Sequence, residues 1–183
     1  MTAAVVLAAG ASRRLGEPKQ LLVIGGETLL ERAVRTARQA GCSPVVVVLG
    51  AEAERIRERC DLGGAQVIEN PEWPDGMASS VRAGVEAARH ADGIVLMTCD
   101  QPAVTAEHLR AVMASGEVMA SAYSGRRGVP AYFPETNFPA LMKLAGDSGA
   151  RELLLTASAI ELPGGELDVD TEADRAEAER RYP

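Results

Sequence analysis

Short runs of branched apolar residues, each followed by a longer amphipathic stretch, constrain this chain more than any other feature. AAVVLA at 3–8, PVVVVL at 44–49 and GIVLM at 93–97 are too short for helices and have no polar face, as strands covered on both sides require. Helical stretches lie between them. Thr28, with Glu31 three residues on, forms a capping box before LLERAVRTARQA, which stops at Gly41. AEAERIRERC at 51–60 reads as a charged surface helix, and SSVRAGVEAARHA after Gly76 places Val81, Val85 and Ala88 on one stripe. This alternation is the order of parallel strands joined by crossover helices, so the expected class is α/β. Beyond residue 98 the regularity is broken by Pro102, Pro130, Pro134 and Pro139, and an antiparallel or inserted portion of the sheet is expected there. A second capping pair, Thr171 and Asp174, opens a polar last helix. At 183 residues, with no repeat, low-complexity stretch or linker, one domain over 1–183 is expected.

Composition then removes whole classes of partner. Aromatics at 3% are too few for base-stacking platforms, and 26 acids against 19 bases oppose a surface built on many phosphate contacts. Nucleic acid is not an expected partner, nor is a membrane, since no apolar run approaches the roughly 20 residues of a span. Cys42, Cys60 and Cys99 form no paired motif, which points to reduced thiols and a cytoplasmic protein, with Cys99 a buried structural thiol. His90 and His108 read as surface residues. The net charge of -7 is unevenly spread: residues 1–20 hold Arg13, Arg14 and Lys19 against Glu17, whereas residues 161–183 hold eight acids against three arginines.

That local excess of positive charge sits in AAGASRRLGEPKQLL, directly after the first strand. Small residues allow a ligand close to the backbone, successive N–H groups form an anion cradle, and the loop contains one of only two lysines in the chain, Lys19. A compact lysine beside Arg13 and Arg14 reads as a polyphosphate grip. The alternative is a solvated basic turn. Gly10 and Gly16 are six residues apart, and Lys19 follows no glycine, so neither a dinucleotide fingerprint nor a P-loop is present.

LAAGASRRLGEPKQLL resembles the signature loop of the nucleotidyltransferases related to molybdenum cofactor biosynthesis, written LAAGxSxRMGxxKxLL, with Leu15 in place of the usual methionine. The resemblance continues in NPEWPDGMASSVRAG at 70–84, DQP at 100–102, GRRGVPAYF at 125–133, GDSGARELL at 146–154 and LDVDTEAD at 167–174. It implies a three-layer α/β/α Rossmann-like fold, and among the family it is most similar to the cytidylyltransferases.

Residue by residue, the resemblance implies nucleotide contacts from Leu7, Ala8, Ala9, Gly10, Ser12, Arg13, Arg14 and Lys19 in the first loop. Asp75, Gly76, Met77 and Ser80 would read base and ribose; Ser79 or Ser80 could instead be a helix N-cap, and Trp73 a loop anchor rather than a stacking group. Arg14, Lys19 and Asp100 are the implied catalytic residues, with Asp100 holding Mg²⁺; alone, Asp100 reads equally as a turn residue before Pro102. Asp168 and Asp170 are expected on opposite sides of an extended segment, Asp168 toward the metal and Asp170 capping the last helix. Arg127, Gly128 and Arg151 are expected at an acceptor pocket. AAG at 8–10, where guanylyl-transferring members have LAGG, favours CTP over GTP. The implied reaction is transfer of CMP to a phosphomonoester, molybdopterin foremost, with release of pyrophosphate and with a molybdoenzyme as client. A different acceptor such as a sugar phosphate, or a non-catalytic maturation factor, are the rivals.

Overall fold

In the computed structural model, which describes residues 1–147 and 149–183, the first strand β1 (Thr2–Ala8) is buried from Ala3 onward because a helical layer covers each face. Ala4, Val6 and Ala8 enter one core cluster, and Ala3, Val5 and Leu7 enter the other. The chain continues through a small hairpin, β2 (Val23–Ile24) and β3 (Glu27–Thr28), into α1 (Leu29–Gln39), β4 (Val45–Leu49), α2 (Ala53–Arg59), β5 (Gln66–Glu69), α3 (Met77–Ala87) and β6 (Gly93–Thr98). There follow α4 (Ala106–Met113), β7 (Met119–Tyr123), β8 (Arg126–Pro134), two single turns α5 (Phe138–Leu141) and α6 (Arg151–Leu154), β9 (Ser158–Glu161) and α7 (Glu172–Arg181).

Seven strands form one sheet in the order β5-β4-β1-β6-β8-β7-β9. β8 is antiparallel to both its neighbours, and the other pairings are parallel. From β1 the chain steps twice in one direction, through α1 and α2 on one face, then reverses to β6 through α3 on the opposite face. That change of face is what right-handed crossovers require when the direction of stepping reverses. Both expected capping boxes are present, Thr28 with Glu31 and Thr171 with Asp174.

The antiparallel portion comes from the β7–β8 hairpin, whose two-residue turn, Ser124 and Gly125, has positive φ at both positions (48° and 72°). Its packing overturns the expected surface position of His108. The imidazole is buried, with Nε2 2.7 Å from Ser121 Oγ, and Ser121 donates its own proton to the Pro130 carbonyl at 2.5 Å. Nε2 is therefore the donor, and burial lowers the pKa of the ring. A third, smaller cluster, including Leu15, Ile24, Leu167, Val169 and Ala178, ties the loop after β1 to α7 and the segment before it.

α3 lies unusually close to the sheet at Gly84, where a Cβ would meet Val5 Cγ1 at 2.3 Å. Alanine gains about 1 kcal/mol in helix propensity, but overpacking against a central strand costs roughly 1–3 kcal/mol. Gly84→Ala is expected to lower the urea midpoint; a higher midpoint would mean that α3 sits further out.

Candidate functional site

The crevice that ligands occupy in an open α/β sheet lies beyond the carboxyl ends of the strands, where the stepping reverses. Here that place is between β1 and β6, whose last pair is Leu7 and Thr98. The basic loop leaves β1 on one side, Asp100 follows β6 on the other, and a cavity of about 340 Å³ opens between them.

Leu7, Ala8, Ala9, Gly10, Arg13 and Lys19 all line this cavity. Ser12 and Arg14 do not. Ser12, itself at φ 49°, accepts a hydrogen bond from the Lys19 N–H at 3.0 Å, so it shapes the loop. Gln20, which the sequence reading passed over, lies within the 3-10 turn Lys19–Leu21 and is fully buried. Its Nε2 donates to the carbonyls of Ala8 at 2.7 Å and Gly10 at 3.1 Å. Across a trans peptide the carbonyl and the next N–H point in opposite directions, so the N–H groups of Ala9 and Ala11 face away from Gln20. The glutamine, itself part of the cavity lining, thus fixes the backbone of the loop after β1.

Lys19 Nζ bridges two carboxylates, Asp100 Oδ2 at 2.5 Å and Asp170 Oδ1 at 2.7 Å. Burial works against its charge, but Asp100 chiefly, with hydrogen bonds to both aspartates, raises its pKa above the ordinary lysine value. Arg14 donates to the other oxygen of Asp170 at 2.7 Å. Asp170 is therefore occupied with the basic loop. It does not cap α7, whose N-cap is Thr171.

The expectation that Asp168 and Asp170 point to opposite sides also fails. Residues two apart in an extended segment share a side, and the one between them, Val169, turns into the third core cluster. The Val169 N–H donates to the Asp100 carbonyl at 2.9 Å, which fastens the segment to the end of β6. Asp168 is half-buried; burial first, then the charges of Asp100 and Asp170, push its carboxyl up to about 6.

A carboxyl whose folded pKa exceeds its unfolded value contributes stability below about pH 4 that is lost as pH rises through about 6. Asp168→Asn is accordingly expected to melt higher than the parent protein at pH 7–8 in chelator, the difference closing toward pH 4. Equal melting temperatures at pH 7–8 would show that Asp168 is not under this strain.

The opposite wall belongs to the loop before α3. Gly76, Met77 and Ser80 line the cavity, as do Trp73 and Pro74. Asp75 is exposed and outside the lining. Trp73 serves two ends, since its side chain also packs on Gly50, where a Cβ would clash at 2.7 Å. Gly76 is the N-cap of α3, at φ 109°, and a Cβ there would lie 2.6 Å from the Gly146 carbonyl. Ser79 caps nothing: its hydroxyl donates to the carbonyls of Gly76 and Glu72 at 2.8 and 2.9 Å. Asp147, not foreseen, lines the cavity and accepts from the Met77 N–H at 3.3 Å.

The residues expected at an acceptor pocket are not gathered. Arg127 is exposed, with Nη1 3.4 Å from the Leu155 carbonyl, and Arg151 is exposed in α6. Gly128 sits under the Tyr123 hydroxyl, and none of the three lines the cavity. Arg126 is the arginine whose charge reaches Asp168, and it lies 5.4 Å from the centre of the Tyr123 ring.

Residues 4–160 match the family described as the MobA-like NTP transferase domain. The chain belongs to that family. Among curated relatives of this transferase, the nicotine blue oxidoreductase of Paenarthrobacter nicotinovorans is 38% identical over 82% of the chain and 79% of its own length. The Bacillus subtilis purine catabolism protein PucB is 36% identical over 91% and 90%. The molybdenum cofactor cytidylyltransferase of Escherichia coli is 27% identical over 97% and 95%. Among solved structures, Rv0371c of Mycobacterium tuberculosis H37Rv has a TM-score of 0.84 at 36% identity, covering 98% of this chain and 97% of that one. A structure of Rv0371c in complex with manganese has a TM-score of 0.79 at 32% identity, covering 98% of each chain.

Nucleotidyltransferases of this family are related to the molybdenum cofactor cytidylyl- and guanylyltransferases, and a divalent metal is typical of such enzymes. The residues present fit one. Asp100 Oδ1 is buried without a hydrogen-bond partner among the described residues, beside the carboxylates of Asp170 and Asp168. Also among the described residues, no three His, Cys, Asp or Glu side chains form a self-sufficient metal cage. A hard cation that keeps several waters and takes most of its remaining ligands from substrate phosphates suits one or two such carboxylates.

Proposed function

We propose that this single-domain transferase moves CMP from CTP to a phosphomonoester acceptor, molybdopterin foremost, and releases pyrophosphate, with Mg²⁺ as its metal. The observation that carries this reading is Lys19, held between Asp100 and Asp170 at the edge of a cavity lined by the basic loop. A phosphate nucleophile is anionic at neutral pH, so the chemistry needs positioning and charge neutralisation more than a general base.

In this reading the acceptor oxygen attacks the α-phosphorus of CTP and the bond to the bridging oxygen of pyrophosphate breaks. Lys19 and Arg13 neutralise the triphosphate, and Arg14 joins them from Asp170. Asp100 would hold Mg²⁺ together with Asp170, in place of the expected Asp168, because Asp170 meets Asp100 at the Lys19 ammonium and would exchange that partner for the metal, which supplies charge neutralisation on the phosphate oxygens when bound. CTP is favoured because Ala9, where LAGG members carry glycine, sets a methyl in the cavity lining. Arg126, beside Asp168, is better placed for an anionic acceptor than Arg127.

The relative named an oxidoreductase suggests redox chemistry as a rival; a thiol-based form of it is disfavoured, because burial pushes the Cys42 and Cys99 thiols up to about 11 and about 12 and raises Cys60 as well. No helix among the described residues is long and apolar enough to cross a membrane, which is compatible with a cytoplasmic enzyme serving a molybdoenzyme client.

Pyrophosphate release is the test, with Mg²⁺ or Mn²⁺, CTP or GTP, and molybdopterin or a sugar phosphate. Release is expected with CTP and molybdopterin. Turnover with a sugar phosphate alone would reassign the acceptor, faster turnover with GTP would reverse the base assignment, and binding without turnover would favour a maturation factor.

A further inference from the structure

Asn70, three residues before the 3-10 turn Trp73–Asp75 that leads to α3, is almost fully buried and does not line the cavity between β1 and β6. Its amide orientation is fixed by its surroundings. The Glu72 N–H donates to Asn70 Oδ1 at 3.0 Å, so the opposite end must be the amide nitrogen. That nitrogen donates to Ser79 Oγ at 2.8 Å and Ser80 Oγ at 3.0 Å, which uses both of its protons. Ser79 has one proton, directed to the carbonyls of Gly76 and Glu72, so toward Asn70 it can only accept.

Ser80 differs from Ser79 in one respect. Its oxygen accepts from Asn70, yet its own proton meets no acceptor among the described residues, and Ser80 lines the cavity. The residue is only 4% exposed, so the cavity is the side on which its proton can find a partner. The geometry points to Asn70 as a positioning residue that sets the polarity of the Ser80 hydroxyl, so that Ser80 presents a hydrogen-bond donor to the nucleobase and selects a base edge carrying an acceptor at that point.

This inference deepens the proposed reading, on which its choice of base rests. Cytosine has a lone pair at N3, where uracil carries N–H, while both bases keep the O2 carbonyl. A donor held in one sense and aimed at N3 therefore favours CTP over UTP, and the discrimination comes from a residue that never touches the nucleotide. A site built to satisfy one polarity rejects the opposite one because a buried group is otherwise left unpaired.

Nucleotide affinity, measured calorimetrically without any acceptor, tests it with CTP and UTP on the parent protein, Asn70→Asp, Asn70→Ala and Ser80→Ala. Asn70→Asp replaces the donating amide by an acceptor that claims the Ser80 proton. Its CTP affinity is expected to fall about tenfold, the loss of one buried hydrogen bond, with UTP affinity held or improved. Asn70→Ala frees the hydroxyl to turn and should shrink the CTP/UTP ratio; Ser80→Ala should shrink it too. These two variants decide the matter if Asn70→Asp does not fold. An unchanged CTP/UTP ratio in Asn70→Ala and Ser80→Ala overturns the inference, because a purely structural asparagine would weaken both nucleotides alike.

Neutron diffraction of the nucleotide-free protein reads the same polarity without a ligand. The Ser80 deuteron is expected on the cavity side, and a deuteron directed at Asn70 overturns the assignment. If the deuteron faces the cavity but neither pyrimidine nucleotide binds, the cytidylyl reading fails while the role of Asn70 stands.

Discussion

Replacing Lys19 by alanine is expected to cut CTP-dependent pyrophosphate release by about 10² to 10³-fold, the usual cost of one preorganised electrostatic group at a reacting phosphate. The same substitution should also destabilise the nucleotide-free protein near neutral pH. It leaves Asp100 and Asp170, both hydrogen-bonded to Nζ, facing each other without their shared counter-charge. The two effects separate in one experiment. Activity is measured at a temperature where the variant is folded, and melting is followed with and without Mg²⁺. Divalent metal should restore much of the melting temperature and little of the turnover, because a cation on the aspartates replaces the lysine as their partner but not as a ligand to the triphosphate. Lys19→Arg should recover stability better than rate, since a planar fork does not reproduce a point charge at the meeting of two carboxylates. Turnover near that of the parent protein in Lys19→Ala would remove Lys19 from the chemistry.

The parts of this arrangement that could be read from the sequence are those governed by local rules. β1, β4 and β6 are runs without a polar face, and such runs form only where both sides of a sheet are covered. Thr28 and Thr171 cap their helices through a spacing of three. Lys19 stood out because lysine is so rare in the chain, and the basic loop because charge and small residues coincide there.

What the sequence could not supply depends on contacts between distant segments. Gln20 is an unremarkable polar residue in KQLL until its amide is found behind the Ala8 and Gly10 carbonyls. His108 looked like a residue of a polar helix, but α4 packs it against Ser121 of β7, so tertiary burial outweighed local composition. Asp147 joins the cavity only because the loop before α6 folds over the start of α3. The acceptor arginines show the same limit from the other side. Arg126 and Arg127 are adjacent in a strand and so point to opposite faces, and only the sheet decides which of them approaches Asp168. Asp168 and Asp170 are a different case, for the alternation rule itself places residues two apart on one side, with Val169 between them in the core.

The three acids on that shared side differ in their surroundings. Asp100 and Asp170 meet at one ammonium nitrogen, whereas Asp168 joins them through charge and carries the burden of burial. Asp100→Ala is expected to lower pyrophosphate release by about 10² to 10³-fold, because its unpartnered Oδ1 is the oxygen best prepared for the metal. Asp170→Ala should raise the Mg²⁺ concentration needed for half-maximal rate and should also loosen Arg14, which loses its only ion pair among the described residues. Asp168→Asn should retain more activity than either, since a carboxyl with its pKa near 6 is the one most easily spared, and above that pH its removal relieves repulsion among the three. The measurement is a Mg²⁺ titration of initial rate for each variant at pH 8. A deeper loss in Asp168→Asn than in Asp170→Ala would transfer the second metal ligand to Asp168 and make its raised pKa a property of a metal site in its empty state.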